Sequence, residues 1–336
     1  MSVTPLYCLV TDADEIDLSN GVSITRFSEG QLEFLSKYEN FIGHLRLHKP
    51  QCLLWERRSI PFKNFIALAA ELSAMSADRI FELNQDDLVR SHAGTTPTMF
   101  YVMYSLVRLI RAFQLYKRGR LVVGDSFFYF PSPVPAGFMV RCTDMTVDYQ
   151  AMEQYTPLYE FNSSELDKFL IFLIRFYEAD KTIDDNPEII LAVGRYCKET
   201  AQHGDVIDLM IALESLLVPE EEGIAFKLAQ RVANLLGPDA MSRKHLFQKI
   251  REFYGLRSKV VHGAKARLKE IRAQEQINEL REITRKIILS VIALASESGL
   301  GTGFAARLNE MCLDDDLRRT MQEKASALMD SLDSKT

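Results

Sequence analysis

From about residue 160 to about residue 300 the apolar residues recur with a period near 3.6 and never return to alternation. A stretch of that length and period has one economical solution: several helices, each burying one stripe against its neighbours. Start and stop signals divide it. NSSELDKFLIFLIRFYEA opens with Asn162 and Glu165 at capping-box spacing. NPEIILAVGRYCKE opens with Asn186 as the cap and Pro187 at the first helical position. GDVIDLMIALESLLVP ends at Pro219, and GIAFKLAQRVANLLGP stops at Gly237-Pro238, a C-cap glycine followed by a breaker. SRKHLFQKIREFYGLRSKVVHG runs from Ser242 to Gly263, and EQINELREITRKIILSVIALASESG is a long amphipathic helix. Residues 303–333 read as one or two surface helices without a dominant apolar stripe.

The first 155 residues follow no single period. GVSITRF (21–27) alternates like a strand, and RLVVGDSFFYF (120–130), β-rich around a Gly-Asp turn, reads as a hairpin. Residues 98–117 carry a helical apolar pattern. FPSPVPAG (130–137) holds three prolines and reads as a loop or edge segment. The expected organisation is an α+β region over 1–155, an all-α helical bundle over 160–300 and a helical tail over 301–336.

With 336 residues, 47% of them hydrophobic and 26% charged, the chain has material for a substantial core, which excludes disorder as its main state. Its five cysteines are scattered and show no CxxC spacing, which argues for a reducing compartment and against a disulfide framework or a zinc knuckle. The N-terminus meets acidic residues after one short apolar run, unlike a signal peptide, and no apolar run is long enough to span a membrane. A cytoplasmic protein is expected. His44 and His48 lie one helical turn apart, but no acidic residue or cysteine sits at a supporting offset. HAGTTPT (92–98) lacks the lysine of a phosphate loop. No metal and no cofactor are expected.

The net charge of −6 hides an uneven distribution. Between positions 242 and 286 there are thirteen lysines and arginines against five acidic residues, an excess of eight. That is an anion-binding face or a solvated helix surface. Inside it, YGLRSKVVHG places Arg257 five residues before His262. Such a spacing arises easily by chance, so its weight comes from context: a helix end in a bundle, within the basic stretch. The residue types suit RNA cleavage. Histidine titrates near neutrality and can remove a proton from a 2′-hydroxyl or give one to the leaving oxygen. Arginine forks onto a phosphate and stabilises developing charge. Five helical residues separate the two side chains by about 140° and about 7.5 Å, so one copy aims both at one atom with difficulty. Two copies across a two-fold axis would line a single cleft. The other reading is that Arg257 pairs with Glu214 or another carboxylate and His262 merely caps a helix.

Taken in order, DLMIALESLLVPEEEG, FKLAQRVANLLG and KIREFYGLRSKVVHGA resemble the Apea-like branch of the HEPN superfamily. The resemblance covers about residues 160–300. It implies a homodimeric helical bundle acting as a metal-independent endoribonuclease, with Arg257 and His262 as the catalytic pair at the dimer interface. It implies RNA as substrate and products ending in a 2′,3′-cyclic phosphate and a 5′-hydroxyl. A bacterial defence or toxin-like setting is implied too, with an antitoxin or defence-system partner. Ser258 holds a position often polar in the family, and Tyr254 and Lys259 are further candidate substrate contacts. The branch regulated by nucleotidylation has a tyrosine two residues past the histidine; here Ala264 stands there, so that control is not expected. The alternative within the family is a catalytically silent module that binds RNA, a nucleotide or a protein partner.

Overall fold

The computed structural model describes residues 2–18, 21–28, 30–31, 50–56, 97–124, 126–130, 136–140, 158–201, 206–220, 222–261, 270–298 and 303–333. The chain divides into two compact units, Met1–Asp167 and Lys168–Thr336.

The first unit is organised by β1 (Ser2–Tyr7), the inner strand of a seven-stranded sheet. On one side of it lie β5 (Cys52–Glu56), β4 (Val22–Arg26) and β3 (Glu15–Asp17); on the other lie β6 (Val122–Val123), β7 (Ser126–Phe130) and then β8 (Ala136–Val140). Thr25 joins two strands across the sheet, its hydroxyl accepting Trp55 Nε1–H at 2.8 Å. Cys8 takes a left-handed φ of 62°, and its N–H donates to Gln51 Oε1 at 2.7 Å. This turn redirects the chain into β2 (Leu9–Val10), which pairs in parallel with β9 (Tyr159–Glu160). Helix α1 (Pro97–Tyr116) buries Ala112, Phe113, Leu115 and Tyr116, and Tyr159 donates its hydroxyl to the Phe113 carbonyl at 2.6 Å.

The stretch read as a hairpin is not one. β6 and β7 both pair with β1, Val123 opposite Leu6 and Phe127 opposite Val3, so they follow one another along the same edge. Gly124 sits at the break, where a Cβ would come within 2.9 Å of the Tyr7 ring. The actual hairpin is β7 with β8, and the three prolines of FPSPVPAG, in the loop or edge segment read over 130–137, lie outside the described residues.

The second unit is helical: α2 (Leu166–Glu178, starting at the unit boundary), α3 (Asp180–Asp184), α4 (Pro187–Ala201), α5 (Val206–Leu217), α6 (Ile224–Leu236), α7 (Ala240–Val261), α8 (Glu270–Ser298), α9 (Phe304–Glu310) and α10 (Asp315–Asp333). α5 is the central element. It packs on α4, α6, α7 and α8 and buries Leu209, Met210, Ala212, Leu213 and Leu217 completely. Its buried Asp208 is held by Arg195 at 2.7 Å and Lys198 at 3.2 Å, both from α4.

Two helix ends differ from expectation. α7 starts at Ala240, capped by Asp239, rather than at Ser242: Asp239 Oδ1 accepts the N–H groups of Met241 and Ser242 at 2.8 and 2.9 Å. An aspartate cap satisfies these end donors and complements the helix dipole, and the Ser242 hydrogen bonds hold its carboxyl below the usual range. Gly237 does close α6, yet its φ is −89°. Its glycine is required by proximity: a Cβ there would meet Arg243 Cγ at 2.5 Å and the Ala233 carbonyl at 2.7 Å. The stretch 303–333 also carries more than surface helices. Met321, Ala325 and Leu328 form a buried stripe on α10, which packs on α8 and α6. Gln322 Nε2 donates to the Asn234 and Gly237 carbonyls at the end of α6, at 2.6 and 3.0 Å.

Arg231 on α6 is fully buried. Nη1 and Nη2 fork onto Glu220 at 2.8 and 2.6 Å, Nη1 also meets the Leu217 carbonyl, and Nε and Nη2 reach Asn309 Oδ1 at 3.1 and 2.7 Å. One guanidinium thereby ties the end of α5, α6 and α9. The Arg231 hydrogen bonds hold the Glu220 carboxyl down to about 2, from an ordinary 4.5. A carboxylate with a depressed folded pKa adds stability that is present above pH 4.5 and lost as pH falls toward 2. Urea unfolding at stepped pH will therefore show a steeper loss over that interval in the native chain than in Glu220→Gln. Arg231→Met, which strands three acceptors, is expected to lower stability by about 2–4 kcal/mol at pH 7.

Candidate functional site

The C-terminal half of α7 carries the residues singled out by the sequence. Among the described side chains of the helix, only Ile250 and Phe253 are deeply buried, so most of these flank or face solvent. The helix is tied to α8 by Glu279, which receives Lys249 at 2.8 Å, and to α5 by Arg257. Tyr254 and Arg257 stand one turn apart at partial exposure, and Ser258 is exposed. Lys259 is placed on the α7 backbone, with its side chain outside the described residues. His262, and with it Ala264, His44, His48 and residues 92–96, lies outside the described residues.

Arg257 meets the carboxylate anticipated as its alternative partner. Its Nη2 is 3.3 Å from Glu214 Oε2, and its guanidinium carbon lies 5.6 Å from the centre of the Tyr254 ring. The ion pair is loose and engages one oxygen. Arg257 Nε and Glu214 Oε1 are both buried without a hydrogen-bond partner. Burial pushes the Glu214 carboxyl up from its ordinary 4.5, and the Arg257 charge partly opposes that rise. A buried pair between α8 and α4 is built differently. Arg281 Nε lies 2.8 Å from each oxygen of the buried Glu199, and its Nη1 donates to Asn278 Oδ1 at 2.6 Å. Arg281 and Arg231 are saturated; Arg257 is not.

The basic excess also resolves into two parts. Lys249, Arg257, Arg281, Arg285 and Lys286 each face a carboxylate. Positions 257–272 hold six lysines and arginines and one acidic residue, so the imbalance concentrates where α7 ends and α8 begins.

Among the described residues no group of three or more histidine, cysteine or acidic side chains could hold a metal, and no helix is long and apolar enough to cross a membrane. Comparison with family models, curated proteins and solved structures returns no match.

The sequence did not reveal one group at this site. Phe226 at the start of α6 is 54% exposed and stacks edge-on against Phe247 of α7 at 5.6 Å. It occupies an ordinary apolar position of the α6 repeat, and only the packing shows that it faces outward.

Removing Arg257 leaves a half-buried carboxylate without its cation. Arg257→Ala is expected to cost about 1–3 kcal/mol at pH 7, read by urea unfolding. The loss shrinks toward acidic pH, because protonation of a carboxyl whose pKa is already raised removes the uncompensated charge. Adding Glu214→Gln recovers part of it at neutral pH.

Proposed function

We propose that the C-terminal unit is a HEPN-type endoribonuclease that cuts RNA without a metal, using Arg257 and His262. The observation that carries this reading is the unsaturated guanidinium of Arg257. Arg231 and Arg281, elsewhere in the unit, are locked as structural clamps, whereas Arg257 keeps one long carboxylate contact and a donor without a partner. A guanidinium in that state gains more from an incoming phosphate than a saturated one does. The concentration of basic residues over 257–272 supports an anionic polymer as the ligand.

In this reading Arg257 holds the scissile phosphate and offsets charge on the pentacoordinate intermediate. His262 takes the 2′-hydroxyl proton or delivers one to the 5′-oxygen, its counterpart coming from a second copy across a two-fold axis. Glu214 acts as the resting counter-ion of Arg257 in the absence of RNA. A bacterial defence or toxin-like role, with an antitoxin or defence-system partner, belongs to the same proposal, as does a homodimer. The competing proposal is a catalytically silent module that binds RNA, a nucleotide or a protein.

Incubating the full chain with mixed-sequence RNA in EDTA tests it. Cleavage to 5′-hydroxyl and 2′,3′-cyclic phosphate ends is expected, falling on the order of 100-fold or more in His262→Ala. An inactive native chain, or a His262→Ala variant as active as native, overturns it; RNA binding without cleavage favours the silent module.

A further inference from the structure

A second surface adjoins Arg257 on the same helix. Phe247, Arg251, Tyr254 and Ser258 recur at intervals of three and four residues, so they share one face of α7. Phe226 of α6 extends this face sideways through its edge-on contact with Phe247, and the exposed Arg251 lies 6.0 Å from the Phe247 ring centre. Tyr254 then contacts Arg257 ring to guanidinium. Aromatic and cationic groups therefore alternate from Phe226 to Arg257, along about 15 Å of helix between Phe247 and Arg257.

Gly255 lies beside this line, exposed and inside a 22-residue helix. A Cβ added there would meet no atom of the described residues within 4 Å, so none of these requires a glycine. Glycine in a helix interior costs about 1 kcal/mol relative to alanine. Bare backbone on an exposed face permits close approach of a ligand.

We propose that this face is a track for single-stranded RNA. Bases stack on Phe226, Phe247 and Tyr254, phosphates run past Arg251 and Lys244, the bare backbone at Gly255 borders one flank of the strand, and Arg257 borders the opposite flank. Aromatic platforms interleaved with cations bind single strands with little sequence preference, because every base offers a π-face. Single strands fit better than duplex, whose bases are already stacked. The exposed Glu252 on the adjacent face limits the width of the basic strip, which suits one strand. The inference rests on the nuclease reading only for the role of Arg257 beside the strand.

The test is anisotropy of a fluorescein-labelled oligouridine of about a dozen nucleotides against full-length His262→Ala in EDTA, so that binding is read without cutting. Phe226→Ala is expected to weaken binding roughly tenfold, and Phe226→Trp to restore it. Arg251→Gln is expected to reduce the salt dependence by about one phosphate contact. Gly255→Leu should raise the melting temperature while weakening binding, a combination that a purely structural position would not give. Native affinity in both Phe226→Ala and Gly255→Leu overturns the track. So does a Phe226→Ala variant that changes oligomeric state without changing RNA affinity, because a second copy would then be the occupant. Tight, Phe226-dependent binding by a chain that never cuts sinks the nuclease reading and leaves the track standing.

Discussion

The buried guanidinium of Arg231 is the interaction on which the bundle's arrangement depends. Three acceptors from separate places in the chain, the Leu217 carbonyl, Glu220 and Asn309, converge on it. A charge so deep is tolerable only because its donors are used in good geometry. The fork ties the end of α5 and the α5–α6 connection to α6 and α9. The Gly237 closure of α6 and the Asp239 cap of α7 then set the start of the helix that carries Arg257.

Against that background the pairing of Arg257 with Glu214 is informative because it is poor. A buried ion pair optimised for stability would resemble Arg281 with Glu199, with both oxygens engaged and a further amide acceptor. The pair on α7 leaves one donor and one acceptor buried without partners, which carries a desolvation cost. A buried polar group left without a partner calls for an explanation, and a catalytic role is one of them. The pairing of Arg257 with Glu214 is compatible with the proposed role of Arg257 in holding a phosphate, because one loose contact can be exchanged for another.

Much of the helical half was legible because its signals are local. Asn186-Pro187, Pro219 and Gly237-Pro238 punctuate a sustained 3.6 period, and the helices end within a few residues of those marks. The N-terminal half was less legible because its determinants are non-local. β1 contains Pro5 and is buried along most of its length, so it shows neither alternation nor a clean strand composition. Its identity comes from β5, far along the chain, and from β6 and β7, which share its other edge. Pairing partners are set by the assembled sheet, and the local Gly-Asp signal suggested a turn where the chain only passes a break. At the site, the sequence supplied Arg257 and its possible carboxylate. The outward face built by Phe226 and Phe247 depends on how α6 lies on α7, which no periodicity encodes.

The docking of α10 bears on how the chain can be divided. Met321, Ala325 and Leu328 are interior residues of the unit, and Gln322 seals the carbonyls that α6 leaves open at its end. A fragment ended near residue 300 would uncover apolar surface on α8 and strand those carbonyls in solvent. It would also lose the Asn309 ligand of Arg231. The unit is thus indivisible at that point, and any attempt to study the bundle in isolation should carry the last helix with it.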